Sequence, residues 1–96
     1  MDNMISLEFK YRSRKYYALI RSKEDDQMRV HSVTIMNGDL ERLLYGNHII
    51  LEKEGCFHSA LPIANKQLGE LKQSIINALC RHLQATRRYR ANNSQL

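Results

Sequence analysis

The sequence predicts an α+β fold: a small two-layer domain in which an antiparallel sheet of four to five strands is covered on one face by a long C-terminal helix. Three observations lead there. Residues 5–11 alternate apolar and polar side chains with the period of two expected of a strand with one buried and one wet face. Further β-rich runs follow, separated by turn residues. The last third of the chain repeats its apolar residues at helical spacing.

Ile5, Leu7, Phe9 and Tyr11 interleave with Ser6, Glu8, Lys10 and Arg12, which predicts a strand over residues 4–11. After Ser13 and Arg14 a second run, 16–23, is closed by the acidic cluster Glu24-Asp25-Asp26-Gln27. The third run, 28–36, reads MRVHSVTIM. Its Val30 falls on one parity and its Val33 and Ile35 on the other, so the expectation is a bulge or burial on both sides. These three runs form a meander.

Asn37-Gly38 marks a turn, because both residues tolerate positive φ. Asp39 is placed to cap a short helix at about 40–45, in which Leu40, Leu43 and Leu44 share a face and Gly46 supplies the stop. A strand at 48–53 turns at Glu54-Gly55 into a short fifth strand at 56–60. The long helix is expected over about 63–90. At about 100° per residue, Leu68, Leu71, Ile75, Leu79 and His82 cluster on one side, flanked by Ile76 and Leu83. Glu70, Asn77, Arg81, Gln84 and Arg88 fall opposite. Pro62 suits the approach or first turn, Asn65 is an alternative cap, and fraying is expected from Asn92-Asn93-Ser94. Residues 1–90 thus read as a single α+β domain and 91–96 as a frayed polar tail.

The chain has 96 residues, enough for one core but not two, and its 43% hydrophobic and 26% charged residues are ordinary for a globular domain. Cys56 and Cys80 cannot make a disulfide framework and are expected to be reduced thiols. An acid at position 2 and the absence of any run of about 18 apolar residues argue against a leader or a membrane span. The expected compartment is the cytoplasm, with no membrane partner.

Cys56-Phe57-His58 and Cys80-Arg81-His82 form a duplicated C-x-H pattern with the ligand types of a zinc site. On a helix, however, Cys80 and His82 lie about 200° apart and cannot converge on one ion. Cys56 and His58 share a strand face but lack an obvious third ligand. A small buried thiol at Cys80 and a helix-end histidine at His82 are the expected roles. A nucleophilic Cys56–His58 pair is no better supported, since nothing there stabilises a thiolate. His31 and His48 complete the four histidines without a recognisable spacing. No GxxxxGK[ST], GxGxxG or HExxH occurs. The expectation is a protein without catalytic residues, cofactor or metal.

The net charge of +5 comes from 15 Lys+Arg against 10 Asp+Glu, a mild pull toward polyanions. It is concentrated in two basic and aromatic runs. YRSRKYY supplies Arg12, Arg14, Lys15, Tyr16 and Tyr17, with Lys10 just before it. RRYR supplies Arg87, Arg88 and Arg90. Cations neutralise phosphates and rings stack on bases, so both runs suit nucleic acid. Both also suit ordinary structure: a soluble hairpin, and cations at a helix C-terminus. If Tyr11 continues the buried parity, Lys10 and Arg12 project to the opposite face, and at least one of Tyr16 and Tyr17 faces away from Tyr11.

The leading expectation is therefore a small non-enzymatic binding or regulatory module that works through protein contacts, with itself as partner in a homodimer. The alternative is a nucleic-acid-binding module in which Lys10, Arg12, Arg14, Lys15, Arg87, Arg88 and Arg90 hold phosphates and Tyr16 or Tyr17 stacks on a base.

Overall fold

A computed structural model describes residues 3–63 and 65–94, with side chains described as far as residue 84. Strands β1 (Asn3–Tyr11), β2 (Arg14–Asp25) and β3 (Met28–Ile35) are followed by helix α1 (Gly38–Leu44), strands β4 (Ile49–Lys53) and β5 (Cys56–Ser59), and helix α2 (Lys66–Ser94). The strands form one antiparallel sheet in the order β1-β2-β3-β4-β5. Every sheet neighbour is also the next strand in the chain: two-residue turns join β1 to β2, β2 to β3 and β4 to β5, and the segment holding α1 joins β3 to β4. The α+β class and the two-layer arrangement match the sequence-based expectation.

The turns are tighter than the sequence suggested. Tyr11 pairs with Arg14, leaving Arg12 and Ser13 as a two-residue loop with φ of 50° and 68°. Lys53 pairs with Cys56 across Glu54 and Gly55, with φ of 53° and 81°. Positive φ at both loop residues matches the right-handed strand twist. Asp25 pairs with Met28, so β2 runs through the first two members of the acidic cluster and only Asp26 and Gln27 turn.

The β2–β3 register is continuous from Ala18↔Ile35 to Asp25↔Met28. No bulge is needed for the split parity of β3. His31, Val33 and Ile35 point into the core, while Val30 is half-buried on the other face beside Leu51. Asn37, not Asp39, caps α1: it is extended at φ −160° and its Oδ1 accepts from Leu40 N at 3.1 Å. The expected positive-φ turn at Asn37-Gly38 is thus replaced by a helix start. Gly46, at φ 75°, does follow the helix as expected. Glu41 fixes α1 to the sheet by accepting from Ile35 N at 2.9 Å and pairing with His48 Nε2 at 3.0 Å.

Helix α2 begins three residues later than expected. Asn65 provides the cap, accepting from Leu68 N at 2.8 Å, and Pro62 stays in the preceding loop. At its other end the helical backbone runs to Ser94, past the residue 90 anticipated from sequence. Leu68, Leu71, Ile75, Ala78 and Leu79 bury against Leu7, Phe9, Ala18, Ile20, Val33, Ile35 and Ile50, with Leu40 and Leu44 of α1 completing the core. His82, assigned to the apolar face, is exposed one turn beyond the buried Leu79, and it sits within the helix, not at its end.

Leu71 is fully buried, so Leu71→Ala should lower the unfolding free energy by about 2–5 kcal/mol, as buried leucine truncations do. Removing the α2 cap by Asn65→Ala should cost about 1 kcal/mol. Urea denaturation followed by far-ultraviolet circular dichroism measures both. Near-equal costs would mean that α2 is not docked through this face.

Candidate functional site

Cross-strand pairing sorts every strand residue onto one of two faces. The face away from α2 carries Met4, Ser6, Glu8 and Lys10 on β1, and Lys15, Tyr17, Leu19, Arg21, Lys23 and Asp25 on β2. It continues through Met28, Val30, Ser32 and Thr34 on β3, Ile49, Leu51 and Lys53 on β4, and Cys56 and His58 on β5. No described element covers it. Leu19, Val30, Ile49 and Leu51 are half-buried among their neighbours, whereas Tyr17 is 53% and Met4 54% exposed. Met36, whose N–H donates to Tyr17 O at 2.8 Å, adds another exposed apolar side chain at the margin. An antiparallel sheet can leave a face to water, but its outward residues are then usually polar. This face is apolar at its centre and charged around it, the composition of a contact surface.

The first basic run divides between the two sides of the sheet. Lys10, Lys15 and Tyr17 share the open face, where Lys15 pairs with Glu8 at 3.4 Å. Tyr16 is half-buried on the helix side, directly opposite Phe9, with ring centroids 5.8 Å apart. Arg12, expected beside Lys10, occupies the turn instead. Its guanidinium lies 5.3 Å from the Tyr11 ring centre and 3.6 Å from Glu70 of α2. The cause is the two-residue loop, which ends the alternation at Tyr11. Arg14 pairs with Tyr11 at the first rung of the ladder. The side chains of Arg87, Arg88 and Arg90 lie outside the described residues; of the tail expected at 91–96, residues 91–94 continue the backbone of α2 and residues 95–96 lie outside the described residues.

Two buried polar clusters on the helix side were not anticipated. In the first, His31 is 1% exposed and Glu52 4%. His31 Nε2 lies 3.0 Å from Glu52 Oε1 and its Nδ1 2.6 Å from Ser22 Oγ. The carboxylate accepts from Nε2–H, and Nδ1 and the Ser22 hydroxyl share the second hydrogen bond. A serine, histidine and glutamate in series resembles a nucleophile–base–orienter chain. Here, however, Ser22 and His31 are direct cross-strand partners under the helix layer, and His31 packs its ring 6.0 Å from that of Phe57. The arrangement ties β2, β3 and β4 together.

The second cluster centres on Lys72, which is 1% exposed on the inner face of α2. Its ammonium donates to Asn47 Oδ1 at 2.7 Å, Ser59 Oγ at 2.6 Å and Ile49 O at 3.2 Å. All three acceptors are neutral. Ser59 in turn donates to Leu61 O at 2.7 Å. Burial pulls the Lys72 ammonium below its ordinary pKa, because a charged amine loses water there without gaining an anion. Spacing held the clue: Lys72 is i+4 from Leu68 and i−3 from Ile75, a core position occupied by a cation. For His31 and Glu52 the clue was parity with Val33 and Ile50.

Cys56 is exposed and Cys80 half-buried, and neither is in a disulfide. Among the described residues no three His, Cys, Asp or Glu side chains converge as metal ligands, and no helix is long and apolar enough to cross a membrane. No family model matches the chain, and no curated protein or solved structure matches it either. The class defined by its fold and surface is a two-layer α+β domain with an open, partly apolar sheet face.

Lys72 leads to a pH prediction. Its folded pKa lies below the unfolded value of about 10.4, so between the two the unfolded chain binds more protons. Stability contributed at this position is full above the unfolded pKa and is lost as pH falls through the folded one. Wild-type stability relative to Lys72→Met should therefore rise with pH on the alkaline side, up to the unfolded lysine pKa of about 10.4, in urea titrations. A flat or falling difference would show that burial does not depress this amine.

Proposed function

We propose that the protein is a small non-enzymatic binding module that acts through protein contacts on its open sheet face, with a second copy of the chain as the occupant. The observation that carries this reading is the half-buried aliphatic group of Leu19, Val30, Ile49 and Leu51 on an uncovered face. Base stacking needs rings, and among the described strand residues the sheet pairing assigns only Tyr17 and His58 to this face. Aliphatic side chains are better suited to another protein surface.

Area and charge support a second copy. Strands of 4 to 12 residues, at about 3.3 Å per residue and about 4.8 Å apart, present on the order of 600 Å² in projection, which side-chain relief brings toward the roughly 800 Å² per partner of a stable interface. On β2 the open face is cationic at Lys15 and anionic at Asp25. A twofold axis across the strands lays β2 on its own copy in the opposite direction. Lys15 then faces the partner's Asp25, and Lys23 falls over the partner's Tyr17, a cation and a ring in favourable order. The free thiols at Cys56 and Cys80 agree with a reducing, cytoplasmic setting.

Sedimentation equilibrium tests the reading. The wild type should dimerise, and Val30→Glu, which puts a charge among the aliphatic contacts, should leave a monomer. Lys15→Glu and Asp25→Lys should each weaken association several-fold, and the two together should restore it, because the swapped pair keeps its complementarity. A wild type that stays monomeric at about 1 mM overturns the proposal. Salt-sensitive binding of RNA or single-stranded DNA by that monomer, with a log-log slope near −0.7 per phosphate contact, would instead assign the face to nucleic acid.

A further inference from the structure

A cleft of about 600 Å³ opens on the helix side of the sheet, away from the open face, between β5, the segment after it and α2. Its walls are apolar, from Phe57, Leu61, Ile63 and Ile76, and Ser59 and Lys72 line it too. Leu61 and Ile63 are 52% and 44% exposed, so the cleft has apolar lips turned to solvent. The helix comes close to one lip at Gly69, where a Cβ would stand 3.4 Å from Ile63 Cγ2, ordinary contact distance. The volume lies within the range of small-molecule sites, and so does the pattern of mostly apolar lining with a few convergent polar groups.

The unusual feature is the charge. An ammonium taken out of water ordinarily acquires a carboxylate, because neutral dipoles replace its hydration incompletely. Lys72 has only the Asn47 and Ser59 side chains and the Ile49 carbonyl. If the amine merely filled a core position, an aliphatic residue would do so at lower cost. From a buried, uncompensated cation beside an apolar cleft, we infer a binding site for an amphipathic monocarboxylate, a compound with one carboxylate and an apolar tail. The carboxylate accepts a hydrogen bond from the Lys72 N–H now directed at Ile49 O over 3.2 Å, and a second from Ser59 once that hydroxyl turns away from Leu61 O. The tail lies along Phe57, Leu61, Ile63 and Ile76. Besides Lys72, the titratable lining residue is His58, and no carboxylate lines the cleft. One strong cation matches one negative charge, which favours a carboxylate over a phosphate dianion.

Octanoate and octanol test this on the wild type, since they share a tail and differ in charge. Calorimetry at pH 7 should show octanoate binding at least about tenfold more tightly, equal to about 1.4 kcal/mol. Lys72→Met should abolish that preference, and Ser59→Ala should reduce it. Should Lys72→Met fail to fold, wild-type NMR reads the same point: octanoate should raise the pKa of the Lys72 side chain, and octanol should not. Equal affinities, no binding of octanoate at about 1 mM, a preference that survives in folded Lys72→Met, or a Lys72 pKa unmoved by octanoate would each overturn the proposal. The dimer surface lies on the other face, so either reading can fail without the other.

Discussion

The alternation of Ile5, Leu7, Phe9 and Tyr11 with Ser6, Glu8 and Lys10 decides which side of the sheet α2 must cover. Once β1 commits its apolar parity, the ladder transmits that choice strand by strand: Leu7 selects Ala18, Ala18 selects Ile35, and Ile20 selects Val33. A shift of one residue anywhere would turn a strand's whole apolar set outward. With one long helix to close the core, the opposite face stays open. The candidate contact surface is therefore a consequence of the same parity that builds the core.

Cover by α2 is uneven. The helix lies most extensively against β1, over an inner face that is wholly apolar from Leu7 to Ile35. Toward β4 and β5 the inner face changes character, to His31, Glu52, Asn47 and Ser59, and the helix answers with Lys72. Hydrogen bonds there do what dispersion does on the other side, and Lys72 links the α1–β4 connection, β4 and β5 to α2. Such a network is directional, so it holds one arrangement where an apolar contact would accept several. It also keeps a cation at the boundary of a cleft, at some expense in stability.

Much of the fold was legible because it depends on local periodicity. The strands were readable from alternation and β-branched content, Gly46 from its conformational freedom, and α2 from the spacing of Leu68, Leu71, Ile75 and Leu79. Misplaced ends have local causes too. Asn37 is a better cap than Asp39 because it is the residue held extended, with its oxygen two residues closer to the chain's entry into the helix. Arg12 left its expected face because a two-residue loop absorbed it. The half-legible features were Lys72, His31 and Glu52. Their positions implied burial while their chemistry implied water, and a pattern of hydrophobicity has no means of resolving that conflict.

Sequence by itself thus determined the class, the element order, the helix-covered parity and the presence of two basic runs. Which groups meet was left to the tertiary structure. YRSRKYY turned out to be a tight hairpin whose Lys15 and Tyr17 belong to one face and whose Tyr16 belongs to the other, a division that pairing with β1 imposes. Asn47, Ser59 and Lys72 are remote along the chain and converge only because β4, β5 and α2 pack together. Periodicity along a chain assigns a residue to a face. Distances between faces and elements are set by packing, and the chemistry of a site depends on those distances.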